Sequence, residues 1–401
     1  MLARHEGAVV LVGGALPGEV VEARVERVQR GTAWAQTTRV VTASAGRVGE
    51  PNACGGCVLA HASYPLQLEL KQQIVVDSFR RVARIALEVE VPVVASPTQG
   101  YRMRARLHVS RGRIGFFREG SHELCDAAST HQLLPATLDV LRAVGAVLEH
   151  VPDVVQGIEI AENRDASERA LHLELMREAD PSGLAPLTSL AGVTGISLSH
   201  AGSPRVRALA GDPRVTDRFT HGEATWSLSR AARAFFQGNR FLVDALVDHV
   251  VGALHAGAMT DLYAGVGLFS VAAAARGHIP VVAVEGDDVS AQDLRQNTAS
   301  WKGLLQIRHM PVEEYLRKRR AIHAQTLVLD PPRTGLSKQA LTGIIGVRAP
   351  RLVYVSCDVP TLARDTRAFV DAGYAISGLR AFDLFPNTAH VETVAVLDLK
   401  G

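Results

Sequence analysis

Two residues have the types needed for covalent chemistry on an unreactive ring carbon. Cys357 ends the apolar run RLVYVSCD, and Glu392 stands ahead of a last apolar strand in DLFPNTAHVETVAVL, behind a Pro-Asn turn and beside His390. A third group, Asp330, ends the buried strand of TLVLDPPRTGL and precedes two prolines that stiffen the turn. C5 of a uracil ring is a poor nucleophile. A thiolate added at C6 raises the electron density at C5, which can then attack a methyl group carried on a sulfonium. A base must afterwards take the C5 proton so that the thiolate can leave. Cysteine suits both halves, being a strong nucleophile and a competent leaving group, and a carboxylate beside the ring suits the proton transfer. Asp330 could hydrogen-bond the uracil edge or hold the methyl donor in line. Singly these residues are ordinary: a strand-end cysteine is more often a buried hydrophobe, a glutamate after a turn usually faces water, and His390 reads as an orienting residue.

The elements that must position them begin near residue 240. A helix (RFLVDALVDHVVGAL) precedes the strand MTDLYAG, the helix SVAAAAR, the strand PVVAVEGD, the helix DVSAQDLRQNTAS, the strand TLVLDPP, a helix near SKQALTGII and the strand RLVYVSC. Such alternation specifies a parallel, doubly wound α/β sheet, whose ligands bind beyond the carboxyl ends of the strands. Gly265 and Gly267, in Asp261-Leu-Tyr-Ala-Gly-Val-Gly, let backbone approach a ligand, and Tyr263 is placed to pack on it. Glu285 ends the next strand about twenty residues later, where an acidic side chain can hold two ribose hydroxyls. GVGLFS lacks the third glycine of the dinucleotide fingerprint, which favours S-adenosylmethionine over NAD.

The front of the chain differs. GAVVLVGGALPGEVVEARVERVQRGTAWAQTTRVV alternates in the strand manner between glycine-containing turns, predicting a small barrel over about 6–42. After the junction ASAGRVGEPNACGGC comes a helical pattern, YPLQLELKQQIVVDSFRRVARI. The middle, about 95–220, reads as strands with helices, and 180–215 as loop or weak strand. A hairpin turning at Arg111–Gly112–Arg113 would put Arg102, Arg104 and Arg106 on one face. Residues 1–120 hold 16 Lys+Arg against 10 Asp+Glu, while the whole chain carries a net charge of only +2. A basic front before a near-neutral domain suits a polyanion-binding module joined to a catalytic one. No apolar run reaches membrane-helix length and no secretory leader is recognisable, so a cytoplasmic protein with no membrane contact is expected. Four cysteines in 401 residues make no disulfide framework.

Asp-Leu-Tyr-Ala-Gly-Val-Gly, Leu-Asp-Pro-Pro-Arg-x-Gly-Leu, Ser-Cys-Asp-x-x-Thr-Leu-Ala-Arg-Asp and Phe-Pro-x-Thr-x-His-Val-Glu, in this order, resemble the bacterial RNA 5-methyluridine methyltransferases. Phe236-Gln237-Gly238-Asn239 is similar to that family's Phe-Gln-x-Asn, whose glutamine contacts the methyl donor. The resemblance implies Cys357 as nucleophile, Glu392 as proton acceptor, and Gln237, Tyr263, Gly265, Glu285 and Asp330 around S-adenosylmethionine. It implies three parts: an OB-like TRAM barrel over 1–46, a central α+β domain over 47–235 and a Rossmann-like methyltransferase domain over 236–401. In members of this type the helix after the Cys-Gly-Gly-Cys segment packs on the methyltransferase domain. The chain opens inside the expected first TRAM strand, so a truncated first strand is expected. The cluster-bearing branch binds [4Fe–4S] through Cys-x5-Cys-x2-Cys and a distant cysteine. Here Cys54, Cys57 and Cys125 match, but Val48 stands at the first position, and four thiolates are the usual requirement. The resemblance thus leaves room for a cluster with a non-cysteine ligand, His61 being nearest, or for its loss. The implied partner is RNA, 23S rRNA ahead of tRNA, met by a monomer, with the flipped base at Cys357 and phosphates on the arginine hairpin. Rival readings are a methyltransferase for another base, disfavoured by Arg333 where an aromatic would stack, and a non-catalytic RNA-binding or assembly factor.

Overall fold

A computed structural model describes residues 1–401 except 53, 89 and 319–321. The first four strands, β1 (Leu2–His5), β2 (Ala8–Gly13), β3 (Val20–Gln29) and β4 (Thr32–Thr42), form a sheet of order β1-β2-β4-β3. Arg30 and Gly31 both take positive φ (50° and 77°), the backbone that a two-residue hairpin between β3 and β4 requires. The predicted strand segment is therefore present, as an open four-stranded sheet. Glu19, whose side chain is enclosed, ties it to the following chain by accepting from Ser44 N and from Arg47.

Next comes α1 (Tyr64–Ser78), which runs on as a wider π turn over Phe79–Ala83, and then the short β5 (Val93–Val94). The middle of the chain supplies β6 (Arg104–Ser110), β7 (Arg113–Phe117), β8 (Leu124–Asp126), α2 (Pro135–Leu148), β9 (Val155–Glu162), β10 (Arg169–Leu175), β11 (Gly195–His200) and β12 (Arg207–Gly211). These strands form one seven-stranded sheet, β12-β11-β10-β9-β6-β7-β8. Leu141, Val144 and Leu148 of α2 share a buried cluster with Leu107, Ile158 and Leu173 on one face of it. The arginines of β6 occupy the other face. The weak expectation at 180–215 is corrected here: GISLSH is buried β11, parallel to β10, because its Ile196 and Leu198 complete that core. A hairpin, β13 (Arg214–His221) and β14 (Ala224–Ala231), then leads to the last part.

There α3 (Val243–Gly252), β15 (Met259–Leu262), α4 (Leu268–Ala275), β16 (Val281–Glu285), α5 (Asp288–Asn297), β17 (Leu305–His309), α6 (Val312–Lys318), β18 (Thr326–Leu329), α7 (Lys338–Val347), β19 (Arg351–Ser356), α8 (Val359–Asp371), β20 (Tyr374–Phe382) and β21 (Glu392–Leu399) follow in turn. The sheet order is β17-β16-β15-β18-β19-β21-β20-β5. The strands from β15 to β19 pair in parallel, and β21 runs against them. The residues of β15, β16, β18, β19 and β21 are mostly buried, because helices cover both faces and these strands meet a core on either side, whereas edge strand β17 buries only Leu305. From β15 the chain winds outward to β17, then returns to the other side of β15 with β18. That reversal opens a crevice beyond the strand ends. The segment 64–94 belongs with this sheet: α1 packs on α8, and β5 pairs with β20. Among the described residues no helix is long and apolar enough to cross a membrane.

Candidate active site

Five adjacent strands, β16, β15, β18, β19 and β21, bring one edge of the sheet together. The first four end there, and antiparallel β21 starts there. In spatial order they deliver Glu285, then Tyr263 and Gly265, then Asp330, Cys357 and Glu392. Neighbouring strands lie about 4.8 Å apart, so Asp330 sits between a cofactor half and a nucleophile half. Local sequence fixes each exit. Asp358 caps α8 by accepting from Thr361 N at 2.9 Å, and Ser356 Oγ donates to Asp358 O at 3.1 Å, which pins the chain on both sides of Cys357. Asp287 caps α5 in the same way, accepting from Ser290 N at 2.8 Å just past Glu285. Tyr263 is held at φ 70°, a left-handed conformation that a bulky residue adopts only when its surroundings impose it. Gly267 sits at φ 99°, where a side chain is strained, and a Cβ there would also crowd the end of the Leu294 side chain at 2.8 Å.

Gln237, Tyr263, Gly265, Glu285, Asp330, Cys357 and Glu392 all line one cavity of about 780 Å³, together with Arg102, Arg104, Phe235, Arg333 and Phe385. Glu285 accepts from Gly265 N at 2.7 Å and from Asp287 N at 2.6 Å. Burial, reinforced by Asp261, pushes the Asp330 carboxyl up to about 8, while a hydrogen bond from Gln237 draws it back. Burial and then Asp330 hold Glu392 well above the ordinary carboxyl range. The Cys357 thiol is pushed up to about 11 by burial and by Glu392, against the opposing pull of Arg333. Arg333 is thus the cation that favours both the thiolate and the carboxylate, a role not singled out from sequence. Its place directly after Asp-Pro-Pro was the available signal. His390 remains exposed, its ring edge-on to Phe385 with centroids 6.2 Å apart.

The three predicted RNA-binding arginines share a face but are engaged. Arg102 donates to Gln132 Oε1 at 2.6 Å, Arg104 pairs with Glu159 at 2.8 Å, and exposed Arg106 pairs with Glu174 at 2.8 Å. Arg102 and Arg104 reach the cavity; Arg106 is outside its lining.

The cysteines differ from expectation. Cys54 and Cys125 form a disulfide with Cα atoms 5.9 Å apart, and buried Cys57 donates to Cys54 O at 3.3 Å. Val48 is 64% exposed, and His61 is buried with neither ring nitrogen hydrogen-bonded. Among the described residues no group of three or more His, Cys, Asp or Glu could hold a metal ion. The donor set does not fit a [4Fe–4S] cluster: with no sulfur at position 48, two of the remaining three are spent on each other. Protein purified in air without reductant should therefore show two alkylatable thiols when denatured, Cys57 and Cys357. Four such thiols before reduction, or stoichiometric iron and sulfide, would overturn this pairing.

A doubly wound sheet with an acidic residue at the end of its second strand and an open glycine turn after its first is the frame of a nucleoside-cofactor enzyme such as a class I methyltransferase. Residues 215–400 match the family model described as tRNA (Uracil-5-)-methyltransferase, and residues 1–38 match the TRAM domain. The 23S rRNA (uracil(1939)-C(5))-methyltransferase RlmD of Halomonas elongata is 32% identical, with 98% of this chain and 85% of that protein covered. RlmD of Xylella fastidiosa is 31% identical, covering 97% and 92%. Among solved structures, the Pyrococcus abyssi tRNA (uracil-54, C5)-methyltransferase in complex with S-adenosyl-L-homocysteine superposes with a TM-score of 0.77 at 25% identity, covering 97% of this chain and 94% of that one. The chain belongs to the RNA uracil-C5 methyltransferases and uses S-adenosylmethionine as methyl donor.

Proposed function

We propose that Cys357 is the nucleophile and Glu392 the base of this methyl transfer. The observation that carries the assignment is the strand-end order, which seats both residues in one cavity on the far side of Asp330 from Glu285. S-adenosylmethionine, when bound, supplies an electrophilic methyl group. Glu285 would hold its ribose and Gln237, Tyr263, Gly265 and Asp330 the rest, since Gly265 faces open space and Gln237 hydrogen-bonds Asp330. Arg333 favours the Cys357 thiolate. Its sulfur adds to C6 of the flipped uracil, and C5 takes the methyl group. Glu392 then accepts the C5 proton, and the C6–S bond breaks to return the thiolate.

The division at 46 and 235, with 64–94 docked on the catalytic part, gives a basic front that grips RNA. Within it, Arg102 and Arg104 lie nearest the reacting base and Arg106 meets phosphate outside the cavity. We place the enzyme in the cytoplasm as a monomer. Its target is ribosomal RNA ahead of tRNA, on the strength of the TRAM segment and the rRNA enzymes to which it is similar. In a deletion strain, nucleoside mapping should show loss of 5-methyluridine from 23S rRNA with tRNA unchanged. The reverse pattern would reassign the substrate.

A further inference from the structure

A buried polar cluster lies behind the cavity, built by residues far apart in sequence. Lys71, fully buried on α1, donates to the Asp383 carboxylate 312 positions away and to Phe385 O at 2.9 Å. Tyr64 Oη, one face of the same helix, donates to the other Asp383 oxygen at 2.9 Å and accepts from Ser96 N at 2.7 Å. Asn239, two residues past Gln237, donates to Ser96 Oγ at 2.8 Å and to Leu384 O at 3.3 Å. Gln67 completes the set: Asn387 N donates to its Oε1 at 2.9 Å.

Everything this cluster holds leads to the active site. Leu384 and Phe385 line the cavity, and the loop they start runs directly into Glu392. The other end, Asn239, belongs to the segment carrying Gln237. A buried ion pair is a poor device for stability, because desolvation offsets its attraction, and specifying one arrangement is its better-attested use. Docking of α1 does not need the pair, since Val75 and Phe79 already share an apolar core with Leu362 and Phe369 of α8.

We propose that Lys71 and Tyr64, outside the methyltransferase sheet, are positioning residues that hold the 383–391 loop so that Glu392 meets the C5 proton. This rests on Glu392 being the base, which Glu392→Gln tests by itself, so the two ideas fail separately.

The test compares the full chain with Tyr64→Phe, which removes one hydroxyl, and with the paired Lys71→Met/Asp383→Leu, which leaves no lone buried charge. Bulk RNA from a deletion strain serves as substrate. Misplacement of a reacting group by about 1 Å can cost ~100-fold. The paired variant should therefore lose about 30- to 100-fold in kcat and Tyr64→Phe about three- to tenfold, while the KM for S-adenosylmethionine stays within about twofold. Both should also release the covalent protein–RNA adduct more slowly than wild type. A merely structural cluster would lower the melting temperature and leave adduct release unchanged. Wild-type kcat in Tyr64→Phe, or in a paired variant that folds, overturns the proposal. So does a loss confined to the KM for S-adenosylmethionine. If the paired variant does not fold, Tyr64→Phe alone decides.

Discussion

Cys357→Ala is expected to lose at least about 10⁴-fold in kcat, because without the nucleophile C5 has no means of becoming electron-rich, and single losses in a catalytic unit reach that size. Binding of S-adenosylmethionine should survive, since Cys357 follows β19 and Glu285 ends β16, with β15 and β18 between them. RNA containing 5-fluorouridine separates the steps, because fluorine cannot leave as a proton and the adduct persists. Wild type plus S-adenosylmethionine should form a band of protein joined to RNA on a denaturing gel, and Cys357→Ala should form none. An adduct in that variant would assign the attack to another residue. The pH dependence follows from the same site. The thiol is pushed up to about 11, so below that pH the thiolate fraction rises with pH. The rate of adduct formation should climb about tenfold per pH unit between 7 and 9, the slope of a single deprotonation. A flat profile over that range would mean that the thiolate is already formed.

The strand ends were legible because a doubly wound sheet leaves an unusual trace. Strands buried on both faces read as continuous apolar runs, so a carboxylate or thiol closing one stands out, as Asp330, Cys357 and Glu285 do. Glu392 was legible only with its partners, since a glutamate after a turn has no signature of its own. What stayed hidden depended on distant pairing. Lys71 looks like one helical cation among several, and Asp383 like a loop acid, until the fold brings them together. The alternation of Arg102, Arg104 and Arg106 predicted their common face but not that Glu159 and Glu174 occupy two of them. GISLSH lies in a stretch rich in Gly, Ser and Pro, and only the neighbouring β10 makes it a buried strand. The family resemblance grouped Cys54, Cys57 and Cys125, but the pairing of Cys54 with Cys125 that leaves Cys57 free is visible only in the fold.

Glu392→Gln should behave differently from Cys357→Ala, and the contrast is what assigns the base. Glutamine keeps the shape of the side chain and cannot take a proton. Addition to C6 and methyl transfer should both proceed, and the adduct should then be trapped before elimination. With ordinary uridine RNA and a labelled methyl group, the variant should incorporate about one methyl per chain as adduct and then stall. Its turnover should be down roughly 10²–10⁴-fold, the usual range for a lost acid–base group. The first step should not slow, and its direction follows from charge. Glu392, when ionised, raises the Cys357 thiol, and glutamine carries no charge that could do so, so the thiolate fraction at a given pH should not fall. Arg333, which favours the thiolate, and Asp330, whose carboxyl is pushed up to about 8, remain in place. Rapid multiple turnover by Glu392→Gln would rule it out as the proton acceptor. Slow turnover with no trapped adduct would place its role before the methyl transfer rather than after it.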